Sequence, residues 1–242
     1  MSVEDSDPKG VTRVRAANPS PITLDGTNTY IVQSWIVDPG PADPVHVAAV
    51  RDAVNGGIEG VVLTHSHADH SEAAELFGAP VVLPGDGEEV GPFRAVGTPG
   101  HSADSVCLLF GSVCFTGDTV LGTGSVFIAP GEGSLSAYLD SLRRLRSLDL
   151  EALCPGHGPV VRDPAAKLDE YLSHRLDRER RLLEALDSGL RTEEELLSAA
   201  WPEVPAPLRP AAALTLAAHL EKLSAEGRLP PGVGGAVDER QH

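Results

Sequence analysis

His65-Ser66-His67-Ala68-Asp69-His70 follows directly on the apolar run Gly60-Val61-Val62-Leu63-Thr64. A short β-branched run opened by glycine predicts a buried strand, so the imidazoles stand where a strand runs out into a loop. Imidazole and carboxylate are the donors that suit a borderline-soft divalent ion. A purely structural role would need four separate buried hydrogen-bonding demands within six residues. In an extended segment His65, His67 and Asp69 share one side, and a turn at Asp69 brings His70 round beside them. The pattern predicts a ligand set in two parts rather than one tetrahedral cage.

Working outward, Asn28–Val32 and Ser34–Val37 read as a strand pair broken at Gln33, with Asp38-Pro39-Gly40 closing the second arm. Val11–Ala17 reads as an edge strand. Asp43 followed by Pro44 predicts an N-cap and first helical turn, with the helix running to Val54. Beyond the motif come a short helix over Ser71–Leu76 and strands over Pro80–Leu83 and Phe93–Val96. A hairpin follows over Ser105–Phe110 and Val113–Thr116, turning at Gly111-Ser112. Ser134 caps a helix to about Ser147, with Leu135, Leu139, Leu142 and Leu145 on one stripe. Leu150–Cys154 is the last strand. His101, Asp118 and His157 therefore each follow a predicted strand, as the first motif does. Strand ends far apart in sequence converge at one sheet edge. We expect a single site assembled from these loops.

From Asp163 the pattern turns helical. Helices are expected over Pro164–Leu186, from a Thr192/Glu195 capping box to Ala200, and over Ala211–Glu226. Arg228-Leu229 is expected to open a small wing strand. The expected domains are 11–160, 161–229 and a disordered tail over 230–242.

The 242 residues are 41% hydrophobic and 22% charged, which suits a globular chain with a real core. A net charge of −16 disfavours broad attraction to nucleic acid or an anionic membrane. No apolar run is long enough to span a bilayer. Cys107, Cys114 and Cys154 sit in apolar stretches and read as small buried hydrophobes. An acidic N-terminus with no apolar export segment, and an odd cysteine count, lead us to expect a cytoplasmic protein. Lysine occurs only at 9, 167 and 222. With abundant Ala and Gly, this suggests a GC-rich bacterial genome.

The string His-x-His-x-Asp-His followed by isolated His, Asp and His resembles the metallo-β-lactamase fold superfamily over about residues 20–160. The strings Leu24–Tyr30, Thr116–Gly122 and Tyr171-Leu172-Ser173-His174-Arg175 are similar to its lactamase-beta-2-like branch, and residues 160–230 resemble the winged-helix region of that branch. The resemblance implies an α/β fold: an αββα sandwich of two facing mixed sheets flanked by helices. It implies two divalent metal ions, with zinc favoured and iron or manganese compatible with the same donors. His65, His67 and His101 would hold the first, Asp69, His70 and His157 the second, and Asp118 would bridge them. Exported antibiotic-degrading members commonly carry Cys where Asp118 stands, so a dedicated β-lactamase is disfavoured.

The implied chemistry is hydrolysis by a metal-bridging hydroxide, with Asp69 orienting it or moving its proton. Asp38 is a candidate to orient a ligand imidazole, with a turn-forming role as the alternative. His174 and Arg175 are candidates to touch substrate or to make an inter-domain contact, with a solvated helix face as the alternative. The glycine-rich loop 123–133, carrying Phe127, is expected to line the pocket, with a packed-core role for Phe127 as the alternative. A small-molecule ester, thioester or lactone is the leading substrate class. A single-strand-specific endoribonuclease is the alternative and needs a basic track, for which Arg143, Arg144, Arg146, Arg175, Arg178 and Arg181 are the candidates. A mononuclear iron oxidoreductase and a C-terminal nucleic-acid or docking module are minor alternatives.

Overall fold

The computed structural model describes residues 6–233. Ten strands form two five-stranded sheets. The first runs in the order β1 (Val11–Arg15), β2 (Asn28–Val32), β3 (Trp35–Val37), β4 (Gly60–Val62), β5 (Val81–Val82). The second runs β10 (Ala152–Pro155), β9 (Val113–Gly117), β8 (Val106–Phe110), β7 (Phe93–Gly97), β6 (Glu89–Val90). Both are mixed. β3, β4 and β5 are parallel, as are β9 and β10, and the remaining pairs are antiparallel.

Strand side chains alternate between two apolar layers. Tyr30, Val32, Val37 and Val62 meet Phe93, Val106, Leu108 and Phe115 between the sheets. Ile31, Ile36 and Val61 point the other way, onto Val50 and Val54 around helix α1 (Pro44–Ala53) and onto Phe77. On the far side, Cys107, Leu109, Cys114 and Leu153 face helices α3 (Leu135–Arg146) and α4 (Pro164–Asp187). Layers on both faces explain why these strands read as near-continuous apolar runs. The expected αββα sandwich is the observed one, and all three cysteines are buried.

Local chemistry sets the helix starts. Asp43 accepts from Val45 N at 3.0 Å and His46 N at 2.9 Å. Thr192 and Glu195 form the expected capping box of α5 (Glu193–Ala200). The stripe of Leu135, Leu139, Leu142 and Leu145 is fully inside. Leu182 and Leu186 of α4 then pack with Leu196, Leu197 and Trp201, and with Leu216 and Leu223 of α6 (Arg209–Ala225). Among the described residues no helix is long and apolar enough to cross a membrane.

Three readings are corrected. Helix α2 spans Ala68–Ser71, so the ligand motif itself turns helical at Ala68 instead of staying extended to Asp69. Its cause is local: His67 O accepts from both His70 N and Ser71 N at 3.0 Å. The expected helix over Ser71–Leu76 is instead this turn followed by a 3₁₀ turn over Ala74–Phe77. No wing strand forms at Arg228-Leu229. Arg228 pairs there with Glu179 at 2.8 Å and Glu226 at 2.9 Å, and the following Pro230-Pro231 lacks the N–H groups a ladder needs. Of the expected tail, 230–233 is described and Val233 packs on the helical cluster; 234–242 lies outside the described residues.

His219 on α6 is wholly buried and neither ring nitrogen has a hydrogen-bond partner. Burial, reinforced by Arg175 and Lys222, pushes its pKa down to about 3. An unfolded chain binds that proton near pH 6.5, so stability falls as pH drops from about 6.5 toward 3. His219→Leu is expected to remove this dependence, gaining about 2 kcal/mol at pH 5 relative to its effect at pH 7. Urea unfolding at the two pH values measures it; an equal effect at both would reject the assignment.

Candidate metal centre

β4 ends beside β3, and their loops carry Thr64-His65 and Asp38 to the same sheet edge. β9 and β10 are parallel with Gly117 opposite Pro155, so Asp118 and His157 emerge together from the second sheet. His101 enters from the loop after β7. The seven residues His65, His67, Asp69, His70, His101, Asp118 and His157 thus meet where the two sheets' ends face each other, as the strand-end argument expects. They fall into overlapping triads, His65/His67/His101, His65/His70/Asp118 and Asp69/His70/His157, with the donor atoms of each within 4.8 Å of one another.

Asp118 stands at the centre. Its Oδ1 lies 3.4 Å from both His70 Nε2 and His157 Nε2, and its Oδ2 lies 3.8 Å from His101 Nε2. The carboxylate therefore faces the two groups with different oxygens. His101 Nε2 is 3.1 Å from His67 Nδ1, and His157 Nε2 is 3.3 Å from Asp69 Oδ2.

The far nitrogens are tied down. His101 Nδ1 donates to Phe127 O at 3.2 Å and His157 Nδ1 to Gly26 O at 3.3 Å. His70 Nδ1 is 2.9 Å from Asp38 Oδ2. These contacts assign the proton to Nδ1 and turn each Nε2 lone pair toward the cluster. His65 follows the same logic: Thr64 Oγ1 donates to Asp38 Oδ2 at 2.7 Å, which leaves it to accept from His65 Nδ1 at 3.0 Å. Asp38 thus holds the His70 imidazole directly and the His65 imidazole through Thr64.

Electrostatics agree with a cation site. Burial, with His70 adding to it, pushes His65 down to about 3, the neutral form a ligand needs. Burial likewise lowers His101 against the opposing pull of Asp118. Burial also works against charge on His70, yet Asp118 and Asp38 outweigh it and hold its pKa well above the usual value. Burial opposes charge on His157 too, and Asp118 and Asp69 overcome it, raising the pKa to about 9. Burial is overcome again at Asp118, which the facing imidazoles hold well below the carboxylate range. Protons on His70 and His157 supply the positive charge these carboxylates require; divalent ions would supply the same charge and displace them.

Two buried atoms, His65 Nε2 and Asp118 Oδ1, have no hydrogen-bond partner. Such orphans are unfavourable unless something else satisfies them, and both belong to the triads. The His/Asp donor set therefore fits divalent metal.

Several supporting residues escape sequence reasoning. Asn28 donates from Nδ2 to Pro155 O at 3.0 Å and Gly158 O at 2.8 Å, clamping the His157 loop. Asp104 accepts from Ser66 N at 3.1 Å and holds the first motif's loop. A Cβ at Gly156 would lie 2.4 Å from His70 Cε1 and 2.9 Å from Asp118 Oδ1, so only glycine fits there. Of these, the Pro-Gly-His string alone carried a hint; the partners lie up to 130 residues away.

His174 and Arg175 lie outside the ligand cluster. They line an adjoining cavity of about 260 Å³, with Asp118 at one wall and Leu24, Leu121 and Phe127 at others. Of the loop 123–133, the first part, Thr123 to Phe127, lines it. Arg175 is buried, which excludes a solvated helix face for it. The basic track that the ribonuclease alternative needs is broken up by ion pairs. Arg143 pairs with Asp140, Arg144 with Asp86, Arg146 with Asp169 and Arg181 with Asp177. Arg178 is buried against Ala200 O and Glu203.

Comparison with known proteins agrees with this architecture. Residues 77–157 match the Metallo-beta-lactamase superfamily, and residues 192–229 match the Beta-lactamase associated winged helix domain. The Beta-lactamase-like protein 2 homolog of Drosophila melanogaster is 31% identical over 266 residues, covering 90% of this chain and 89% of that protein. An Atrochrysone carboxyl ACP thioesterase of Aspergillus fumigatus is 33% identical over 239 residues, covering 81% of this chain and 75% of that one. Both relatives are eukaryotic, so the compositional suggestion of a bacterial genome gains no support from them. The crystal structure of a metallo-beta-lactamase family protein from Thermus thermophilus superposes with a TM-score of 0.74 at 22% identity, covering 90% of this chain and 94% of that one. Fold, ligand geometry and relatives coincide, and the chain belongs to the metallo-β-lactamase superfamily of hydrolases, in the branch that appends a winged helix domain.

Proposed function

We propose that the chain is a dinuclear metal-dependent thioester hydrolase acting on a compact acyl group. The central observation is the convergence of six other donors around Asp118, whose two oxygens face two separate ligand groups. In this reading His65, His67 and His101 would hold one ion and Asp69, His70 and His157 the other, with Asp118 offering an oxygen to each set. Zinc suits these donors best. Two such ions, when bound, polarise the substrate carbonyl and acidify water at neutral pH.

The chain's own groups supply the rest. The Nδ1 contacts of His70, His101 and His157 keep the imidazoles in one tautomer. Asp69 is the partly exposed carboxylate of the set, at 32%, and is placed to orient water and take its proton. Water oxygen forms the new bond to the acyl carbon, the C–S bond breaks, and the departing thiolate takes up a proton. The apolar cavity beside Asp118 receives the acyl group. Thioester chemistry is supported by the relatives named as ACP thioesterases. The paired arginines offer no phosphate-tracking groove for single-stranded RNA. Residues 11–160 form the catalytic domain in this reading, and 161–229 a helical lid on the cavity.

The test is elemental analysis beside a panel of acyl N-acetylcysteamine thioesters, lactones and fluorescent single-stranded RNA. Two metals per chain with thioester turnover, lost on chelation and restored by zinc, is the expected result. RNA cleavage without thioester turnover would replace the reading with the nuclease.

A further inference from the structure

Arg175 carries a charge whose partner is missing. Its side chain belongs to a residue only 2% exposed, yet among the described residues no carboxylate pairs with it. One guanidinium nitrogen donates to Val126 O, and its Cζ stands 5.3 Å from the Tyr138 ring centroid. Its Nε is buried without a partner. Burial strips a guanidinium of water, and one carbonyl and one ring face return only part of that.

The surroundings add positive charge. Arg178, also buried, donates from Nε to His174 Nε2 at 3.2 Å. Its acidic partner Glu203 is 56% exposed, so solvent screens that pair. His219, behind the same wall, is held neutral by burial and by Arg175, Lys222, His174 and Arg178. A chain of net charge −16 thus gathers cations at one wall of one cavity. Among the described residues the cavity's single lining carboxylate is Asp118, at the end of the His/Asp cluster; Ile22, Leu24, Leu121 and Trp201 make the walls between apolar.

We propose that Arg175 is the receptor for an anionic group on the acyl part of the substrate, so that the chain hydrolyses thioesters of compact apolar acids bearing a second carboxylate. This rests on the thioesterase reading for the reaction, not for the binding. The acyl part is favoured over the phosphates of a carrier by access. A cavity of about 260 Å³ admits a compact group, and Arg175, only 2% exposed, lines it. Hydrolysis proceeds as above: the C–S bond breaks at the metal-ligand end, and the second carboxylate stays on Arg175 unchanged.

The probe is naphthalene-2-sulfonate, an apolar anion with little affinity for metal ions, titrated calorimetrically into the metal-loaded full chain. Its neutral counterpart is methyl 2-naphthyl sulfone. The sulfonate is expected to bind about tenfold or more tightly than the sulfone, as a charge-assisted contact predicts. Arg175→Gln should erase the difference, and Arg175→Lys should keep part of it. Equal binding of the two probes to the wild-type chain, or discrimination unchanged in Arg175→Gln, overturns the proposal. Should Arg175→Gln fail to fold, the wild-type comparison and Arg175→Lys still decide. Tighter binding of inorganic phosphate than of the sulfonate would assign the site to a phosphate-bearing carrier and overturn the acyl assignment. Discrimination without any thioester turnover would reject the reaction and leave the anion site standing.

Discussion

Asp118→Ala is expected to lower kcat/KM by at least about 10³-fold, or roughly 4 kcal/mol of transition-state stabilisation. The reason is geometric. Asp118 Oδ1 faces His70 and His157 while Oδ2 faces His101, so one side chain serves both ligand groups. Losing it removes a donor from each group and leaves the imidazoles facing one another. Metal content should fall in the same preparation. The fold should survive, because Asp118 stands in the loop after β9, outside the apolar layers that hold the sheets together. Unchanged circular dichroism with reduced metal and lost turnover is the expected combination. A variant that keeps both metals and more than a tenth of wild-type activity would remove Asp118 from the centre of the site.

Asp38→Ala is the second large effect. Asp38 accepts from Thr64 N at 2.8 Å and from Thr64 Oγ1 at 2.7 Å, and holds His70 Nδ1 at 2.9 Å. Truncation strands all three donors in a buried site, and strips His70 of a charged partner. A loss of about 3–5 kcal/mol in folding stability is expected, together with a 10- to 100-fold loss of metal affinity. Asp38→Asn separates the two. Asp38 has φ 48°, a left-handed conformation that asparagine tolerates. Its amide oxygen can still accept from Thr64 N, but its NH₂ group then confronts His70 Nδ1–H. Stability should be largely retained in Asn while metal affinity falls as in Ala. Urea unfolding and competition with a chromophoric chelator measure the two quantities. Equal metal affinity in wild type and both variants would reduce Asp38 to the turn-forming residue that Asp-Pro-Gly also allows.

The legible parts of this chain were those that depend on near neighbours. Asp43 before Pro44, Ser134, and Thr192 with Glu195 announce helix starts because caps act over three residues. The two-residue alternation of β2 and β8 announces strands with two apolar faces. The hexad at 65–70 announces a cation site because so many lone pairs in six residues have no structural use. Its helical turn at Ala68 was not legible, since a strand and a helical turn both bring His and Asp together over so short a span.

What the sequence alone determined is the set of donors and the order of the elements, carried by local spacing and by the two apolar periodicities, while the sandwich class followed from the resemblance of the donor string to a known family. Tertiary structure decided how the donors are used. The parallel register of β9 and β10 sets Asp118 beside His157, and the packing of β3 against β4 brings Asp38 to His70. It also decided the fate of the arginines, which sequence presents alike. Arg143 and Arg146 reach nearby carboxylates at the surface, whereas Arg175 is shut in a cavity with none. The physical reason is burial: a charge's meaning depends on the water and counter-charges around it, and only the folded chain supplies those.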